Sequence, residues 1–565
     1  MNPPADRIDP ITLEVLRNQF ESAADEMGQT LIRGAYSPNI KERRDCSTAL
    51  FGAAGRMIAQ AEHIPVHLGA MPQSVDAVRQ YDPEPGDVFV LNDPFRGGTH
   101  LPDVTMVSPL APDGEIVGYA VSRAHHADVG GVTPGSMPAG AREIYQEGLR
   151  IPPTRLVVDG EVREDIRSLI LANVRNPSER KADLRAQLAA NERAENRLAS
   201  LFDEHGRETV LDGFNAVIDY SRERIVREIE ALPDGTYTAT DRLEGDGLTD
   251  EDIEISVTVT VDGDTVNVDF AGTADQVDGN LNAPLAVAMS AVYFVVRCVT
   301  DPEIPPNHGC YEPVTVTAPS GSLLNPDPPA AVVGGNVETS QRVTDVVFTA
   351  LAEAAPDRVP AQSQGTMNNL IIGGRGGGGE RNDNDEIGDF AYYETIGGGF
   401  GGRVDADGMD GVQVGMTNTL NTPVEALEAA YPLRVEQYAL RANTGGEGRY
   451  RGGLGLERRI RVERDATVSL LTERRRHRPQ GVDGGGPGAC GENMLTLPDD
   501  DDPQPVAAKT TRDVPAGSVV TVRTPGGGGH GDPAKRDQSA RERDRADGKV
   551  TARTDETAVD EEGHQ

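Results

Sequence analysis

The chain has 565 residues, 37% of them hydrophobic and none of them tryptophan, with a formal net charge of −37. That length exceeds one hydrophobic core, so two to four domains of roughly 100 to 200 residues are expected, and charge of this sign excludes nucleic acid and anionic membranes as partners because it repels phosphate. Lysine is confined to Lys41, Lys181, Lys509, Lys535 and Lys549, and an acidic excess spread along the whole chain reads as a halophilic surface, relieved of self-repulsion where screening acts over about 3 Å at 1 M salt.

Cys46, Cys298, Cys310 and Cys490 are far apart and include no CxxC, which is neither a disulfide framework nor a zinc knuckle and fits a reducing cytoplasm. The start, MNPPADRIDP, lacks the basic-then-apolar pattern of a signal. The longest mainly apolar run, Ala283 to Val296, falls short of the roughly 20 residues a membrane span requires. It reads as a buried helix or a strand pair. A soluble, cytoplasmic protein is expected.

In chain order, Asp9-Pro10 is a helix start, with Asp as N-cap and Pro in the first turn. Leu13, Leu16, Phe20, Ala23, Met27 and Leu31 then recur at helical spacing to about Arg33. Short strands are predicted around Ala49 to Phe51 and Met57 to Ala59, and Glu62, His63 and His67 follow before another helix. The centre of the chain is GDVFVLNDPFRGGTHLPDVTMVSPLAPDGEIVGYAVSRAHHADVGG, with strand-length apolar runs at Val88 to Leu91, Val104 to Val107 and Ile116 to Val121. His100 and Asp103 fall in or near the loop between the first two runs. His125, His126 and Asp128 fall a few residues past the third. Two polar clusters of metal-ligand type near strand ends predict a divalent metal held by His100, Asp103 and either His125 or His126. Mixed His and Asp donors suit zinc, manganese or iron rather than calcium. Asp45 is a further candidate ligand, and Cys46 reads as a small buried thiol.

Helices follow at Ile166 to Val174, Asn176 to about Phe202 and Val210 to Leu232. Beyond Tyr237 the period becomes alternating, and ISVTVTVDGDTVNVDF carries the strongest hairpin signal in the chain. Glycines then accumulate in GGNVETSQRV, IIGGRGGGGE, ETIGGGFGGR, RANTGGEGRYRGGLGLERR and VDGGGPGACGE, which predicts positive φ or close backbone approach in many turns of a β-rich C-terminal half. Gly397, Gly399 and Gly402 match GxGxxG, but without a strand-turn-helix setting they do not make a dinucleotide site, and no GxxxxGK[ST] is present. The basic run Arg474 to Arg478 reads as salt-bridged rather than as an anion anchor. The expected class is α+β and multi-domain: residues 1–235 an α/β metal-binding region, 236–335 a hairpin-containing middle, 336–531 a glycine-rich β region, and 532–565 a polar, disordered tail.

DPITLEVLRNQF, RRDCSTALF, HIPVHLGAMPQSV, GDVFVLNDPFRGGTHLPDVTMVSP, AHHADVGGVTPGSMP, EIYQEGLRIPP, NTPVEALEAAYPLRVEQYALR, GGEGRYRGGLGLER and TPGGGGHGDP run in order from Asp9 to Pro533. Together they resemble the hydantoinase B/5-oxoprolinase family over nearly the whole chain. The resemblance implies a hetero-oligomer in which a hydantoinase A-type partner binds ATP and phosphorylates a small cyclic amide (a hydantoin, 5-oxoproline or a related lactam), and this chain's metal completes its hydrolysis. It implies metal ligands at His100 and Asp103 in GGTHLPD and His125 in RAHHAD, with Asp45 in RRDCS as the fourth and His126 as the rival of its neighbour. Candidates for the general base are Asp128, Glu62 and His63. The alternatives are a subunit of an acetone- or acetophenone-type carboxylase and a non-catalytic scaffold for the ATP-binding subunit.

Overall fold

Asp9 starts the first helix as its position predicts: its carboxylate accepts hydrogen bonds from the backbone N–H groups of Ile11 and Thr12 at 3.0 and 3.2 Å. This computed structural model describes residues 8–374, 389–500 and 502–551. Helix α1 (Pro10–Gly34) buries Leu16, Phe20, Ala23, Met27 and Leu31. It packs on α2 (Pro177–His205), whose Ala186, Ala190 and Ala194 let the two helices and the sheet beneath them approach closely. Helix α3 (Arg207–Glu230) completes that layer.

The sheet beneath has seven strands in the order β2-β1-β5-β4-β3-β6-β7. They are β1 (Cys46–Gly52), β2 (Met57–Glu62), β3 (Val88–Leu91), β4 (Asp103–Leu110), β5 (Gly118–His125), β6 (Thr154–Val158) and β7 (Glu161–Val162). Strands β4 and β5 are buried along their whole length. One face meets α1 and α2 through Leu110, Ala120 and Ala124; the other sends Val107, Tyr119 and Val121 into the largest apolar cluster. Burying each large apolar side chain contributes about 1.5–3 kcal/mol. Strand β5 runs further than its apolar core predicts, to His125, because its small and polar residues pair with β1 and β4 on both sides.

The predicted hairpin is present. Strands β8 (Gly235–Glu244), β9 (Asp252–Asp262), β10 (Thr265–Asp269) and β11 (Val314–Thr317) form a second sheet in the order β11-β10-β9-β8. The run Ala283 to Val296 lies mostly in one buried helix, α4 (Leu285–Val299), not in a strand pair. A five-residue π turn, Gly335–Thr339, leads into α5 (Ser340–Leu351). The C-terminal part adds β12 (Asn369–Gly374), β13 (Phe390–Thr395), β14 (Leu433–Leu440), β15 (Leu456–Val462), β16 (Ala466–Leu471), β17 (Glu492–Thr496), β18 (Gln504–Pro505), β19 (Lys509–Val514) and β20 (Val519–Arg523). They make two sheets, β13-β12-β16-β19 and β14-β15-β20-β17-β18. The class is mixed helix and sheet, as expected. Among the described residues no helix is long and apolar enough to cross a membrane.

Between the strands lie extended glycine segments whose role is close approach. Gly399, Gly453 and Gly527 all have φ outside the left-handed region. A Cβ on Gly399 would stand 2.1 Å from Gly453 O, one on Gly453 1.9 Å from Met409 O, and one on Gly527 2.2 Å from Phe400 O. The segments hydrogen-bond to one another instead: Gly453 N–H donates to Phe400 O at 2.8 Å and Gly527 N–H to Gly453 O at 3.0 Å. Backbone packs on backbone, which only glycine permits.

The tail divides. Residues 552–565 lie outside the described residues, but the segment before them is ordered, contrary to expectation: it forms a turn at Pro533–Lys535 and a helix at Gln538–Ala546. Arg536 anchors it, its guanidinium donating to Asp407 at 2.6 and 2.8 Å and to the buried Asp544 at 2.7 Å. Paired charges hold down a segment that has almost no apolar side chains.

The glycine packing is measurable. Gly453→Ala is expected to lower unfolding stability by at least ~1–3 kcal/mol through steric overpacking. Gly486→Ala, whose Cβ would meet nothing closer than 3.6 Å, is expected to stay within about 0.5 kcal/mol of wild type in chemical denaturation.

Candidate metal centre

Two paired strands, β4 and β5, and the segments that lead into β1 and β4 bring the candidate ligands together. In the antiparallel pairing of β4 with β5, Asp103 stands directly opposite His125. On the other side of β5, Cys46 of β1 stands opposite Ala124, and the carbonyl of Asp45 accepts the His125 N–H at 3.0 Å. His100 sits in the turn that enters β4, where its carbonyl accepts the Asp103 N–H at 3.1 Å. His100, Asp103 and His125 thereby offer ligand atoms that all lie within 4.8 Å of one another, and all three residues are buried. The clusters read from the sequence as two loops are the facing ends of paired strands.

Asp103 Oδ2 is the focus. Thr99 Oγ1 donates to it at 2.6 Å and Asn336 Nδ2 at 3.4 Å. His67 Nε2 lies 3.5 Å from it and His100 Nε2 3.3 Å. The His67 ring is fixed from behind by Ser47 Oγ, 3.0 Å from its Nδ1, the kind of outer contact that orients a histidine in a metal site. The His125 ring stacks on Tyr393 with centroids 4.7 Å apart and an interplanar angle of 17°. Tyr393 is held by a hydroxyl bond to Asn369 Oδ1 at 2.9 Å and by Arg43, whose guanidinium lies over the ring and donates to the Tyr393 carbonyl at 2.6 Å.

The electrostatics separate the donors. Burial works against the Asp103 charge, yet His100 and His67 hold its carboxyl well below the usual carboxylate range, so it is anionic. Burial, reinforced by His100, drives His125 well below its ordinary value, so its imidazole is neutral. Burial, with the Asp103 charge nearby, pushes Asp45 up to about 7. Among the described residues neither His100 nitrogen has a hydrogen-bond partner, nor has His67 Nε2 or His125 Nε2. The short His–Asp separations are misaligned for ring N–H bonds. Buried nitrogens left unpaired are costly. Four in one pocket, with the neutral imidazole of His125 beside an anionic carboxylate, make a donor set that fits zinc, manganese or iron.

Other predicted residues lie elsewhere. His126 points to the opposite side of the strand, where its Nε2 meets Gln187 Oε1 at 3.0 Å and burial lowers it to about 4; alternation along a strand separates adjacent histidines. His63 packs against Gly28 of α1, its Cε1 2.8 Å from where a Cβ there would stand. The side chain of Glu62 is outside the described residues. Asp128 braces a loop. Its oxygens accept from the N–H groups of Gly130, Gly135 and Arg175 and from the Arg175 guanidinium, all at 2.9 Å. Cys46 is buried, and burial raises its thiol further from ionisation. The basic run is consumed within the chain: Arg474 on Asp345 and Asp241, Arg476 and His477 on Asp252. His67, Asn336 and Tyr393 enter from distant segments. Only His67 carried a signal, as one of five histidines between positions 63 and 126.

The family described as hydantoinase B/oxoprolinase matches residues 9–533. An uncharacterized protein of Methanocaldococcus jannaschii is 42% identical, covering 94% of this chain and 92% of its own length. 5-Oxoprolinase 1 of Arabidopsis thaliana is 39% identical over 93% of this chain, which spans 42% of that longer protein. In structure, the ATP-dependent caprolactamase from Pseudomonas jessenii is similar with a TM-score of 0.88 and 30% identity, over 96% of this chain and 95% of that one.

The two adjacent histidines should separate cleanly. His125→Gln is expected to abolish stoichiometric zinc or manganese binding in a metal titration, and His126→Gln to leave it intact. A pH effect follows from Glu147, whose Oε1 accepts the N–H groups of Val332 and Val333 at 2.9 Å ahead of the π turn. Burial pushes its carboxyl up to about 8 from 4.5. The folded chain therefore retains a proton that the unfolded chain has released, and stability present below pH ~4.5 is lost as pH rises towards ~8. Glu147→Gln, which keeps the acceptor, should gain stability relative to wild type across that window in urea unfolding and plateau above it.

Proposed function

The chain belongs to the hydantoinase B/oxoprolinase family, and on that premise we propose that it is the metal-dependent, ring-opening subunit of a two-subunit, ATP-dependent hydrolase of cyclic amides. The observation that carries the reading is the convergence of His100, Asp103 and His125 in a buried pocket rich in unpaired nitrogens. A scaffold has no need of such a cluster. The likeness to an ATP-dependent caprolactamase supports hydrolysis of a lactam, and the absence of a GxxxxGK[ST] motif leaves ATP to an A-type partner.

Amide resonance makes a lactam or hydantoin carbon a poor electrophile. Phosphorylation of its oxygen by the partner gives an imidate-like ring; water adds to the ring carbon, the C–N bond breaks as the ring nitrogen takes that water's two protons and leaves as the amine, and a second water releases phosphate from the acyl phosphate that remains. Asp45, His100, Asp103 and His125 would hold a divalent ion. When bound, such an ion supplies Lewis acidity and lowers the pKa of water towards ~7.

This chain's own residues do the rest. Asp103 provides the fixed negative charge, kept in place by Thr99, His67 and Asn336. His100 and His125 present their imidazoles in the pocket, that of His125 neutral, and the stacked Tyr393, clamped by Arg43, sets the plane of the His125 ring. Burial of the whole set keeps bulk water from screening these charges and dipoles.

The test is metal analysis and turnover in the complex with the A-type subunit. Wild type is expected to carry about one divalent ion per chain and to open a lactam or hydantoin only with ATP. His100→Ala is expected to lose the ion and at least ~10³-fold of the ring-opening rate. Full turnover without metal would sink the reading. A strict requirement for bicarbonate, with no C–N cleavage, would point to the carboxylase alternative instead.

A further inference from the structure

The run GGNVETSQRV holds a feature that the ligand set does not explain. Its π turn is pinned from below. A Cβ on Gly335 would stand 2.0 Å from Asn282 O, and the Gly335 N–H donates to Asn280 O at 3.0 Å. Asn282 is itself fixed, its Nδ2 donating to the carbonyls of Val277, Gly279 and Ala331 at 2.9 to 3.0 Å. A π turn carries one residue more than an α turn and displaces side chains from helical register, a device common at functional sites. Here it delivers Asn336 to the candidate metal centre, more than two hundred residues along the chain from Asp103.

The Asn336 amide is half used. Nδ2 donates to Asp103 Oδ2, and the residue's backbone carbonyl is satisfied by Ser340 Oγ at 2.7 Å. Oδ1 is buried and has no hydrogen-bond partner among the described residues. As the other end of the same amide, it stands beside the Asp103 carboxylate. An amide oxygen accepts hydrogen bonds and takes no proton, so Oδ1 can orient a donor without acting as a base. A lactam phosphorylated on oxygen has lost its amide N–H. The ring then offers no donor, and the water that opens it does.

We propose that Asn336 is a catalytic residue that aims this water: Nδ2 is spent on Asp103, and Oδ1 accepts a hydrogen bond from one O–H of the water, turning its lone pair towards the ring carbon. The proposal rests on the ring-opening reading above. It assigns the glycine-rich π turn a role in the reaction.

The experiment uses the complex with the ATP-binding partner, a lactam substrate, and hydroxylamine as a competing nucleophile. Asn336→Leu is nearly isosteric and lacks donor and acceptor. It is expected to keep wild-type metal content and a KM within about threefold, while kcat falls about 10²-fold, the scale of a misplaced reactant. The ratio of hydroxylamine adduct to hydrolysis product should rise about tenfold, because water alone loses its anchor. Asn336→Ala, assayed in the same way, decides the matter if leucine prevents folding. Unchanged kcat, an unchanged product ratio, or loss of metal together with activity overturns the proposal. A wild-type complex that opens no cyclic amide with ATP overturns the underlying reading as well, and so separates the two failures.

Discussion

The centre of the molecule depends on keeping one carboxylate, Asp103, ionised where water cannot reach it. A buried anion is tolerated only when neighbours supply charge and hydrogen bonds. Here they come from three segments: Thr99 and His100 from the preceding turn, His67 from the helical turn Pro65–His67 after β2, and Asn336 from the π turn. His100 and His67 hold the Asp103 charge, and the added bonds from Thr99 and Asn336 tie the site to the turn before β4 and to the segment that enters α5. The same burial keeps His125 neutral, and neutral imidazole is the form that donates to a metal.

A different constraint governs the C-terminal part. There the backbone itself is the packing surface. Glycine segments near positions 399, 453 and 527 approach so closely that any side chain would occupy a neighbouring carbonyl. This arrangement gains hydrogen bonds between extended chains without forming regular strands, beside the apolar cluster of the two C-terminal sheets that includes Leu370, Ile460 and Val520. Buried paired charges add to it. Arg342 is buried against Asp241 and Glu473, Lys509 against Glu473, and Arg536 against Asp407 and Asp544. In a chain with a net charge of −37, these few basic residues are drawn inward, where breaking a pair would leave an uncompensated buried charge.

Tyr393 links the two halves. It belongs to β13 of a C-terminal sheet, yet it stacks on His125 of the N-terminal sheet and is clasped by Arg43. Its hydroxyl bonds Asn369, whose amide in turn donates to Glu338 of the π turn at 2.8 Å. Both walls of the candidate site thus lean on one small polar network, and a movement of the C-terminal sheets would be felt at His125.

By itself the sequence determined the elements whose cause is local. The Asp9-Pro10 cap, the helical spacing of Leu16 to Leu31, the alternating hairpin strands and the histidine-rich central stretch were all legible, because capping, periodicity and residue chemistry act within a few positions. Only the tertiary structure decided between His125 and His126, since strand alternation sends them to opposite faces and depends on where β5 ends. It also brought in His67, Asn336 and Tyr393 from segments distant in the chain, and it placed Asp128 among loop N–H groups and His63 against α1. The glycines show the same division. Their abundance announced an unusual backbone, but which carbonyl Gly399, Gly453 or Gly527 makes room for is fixed by segments more than forty residues away, and no local pattern encodes that.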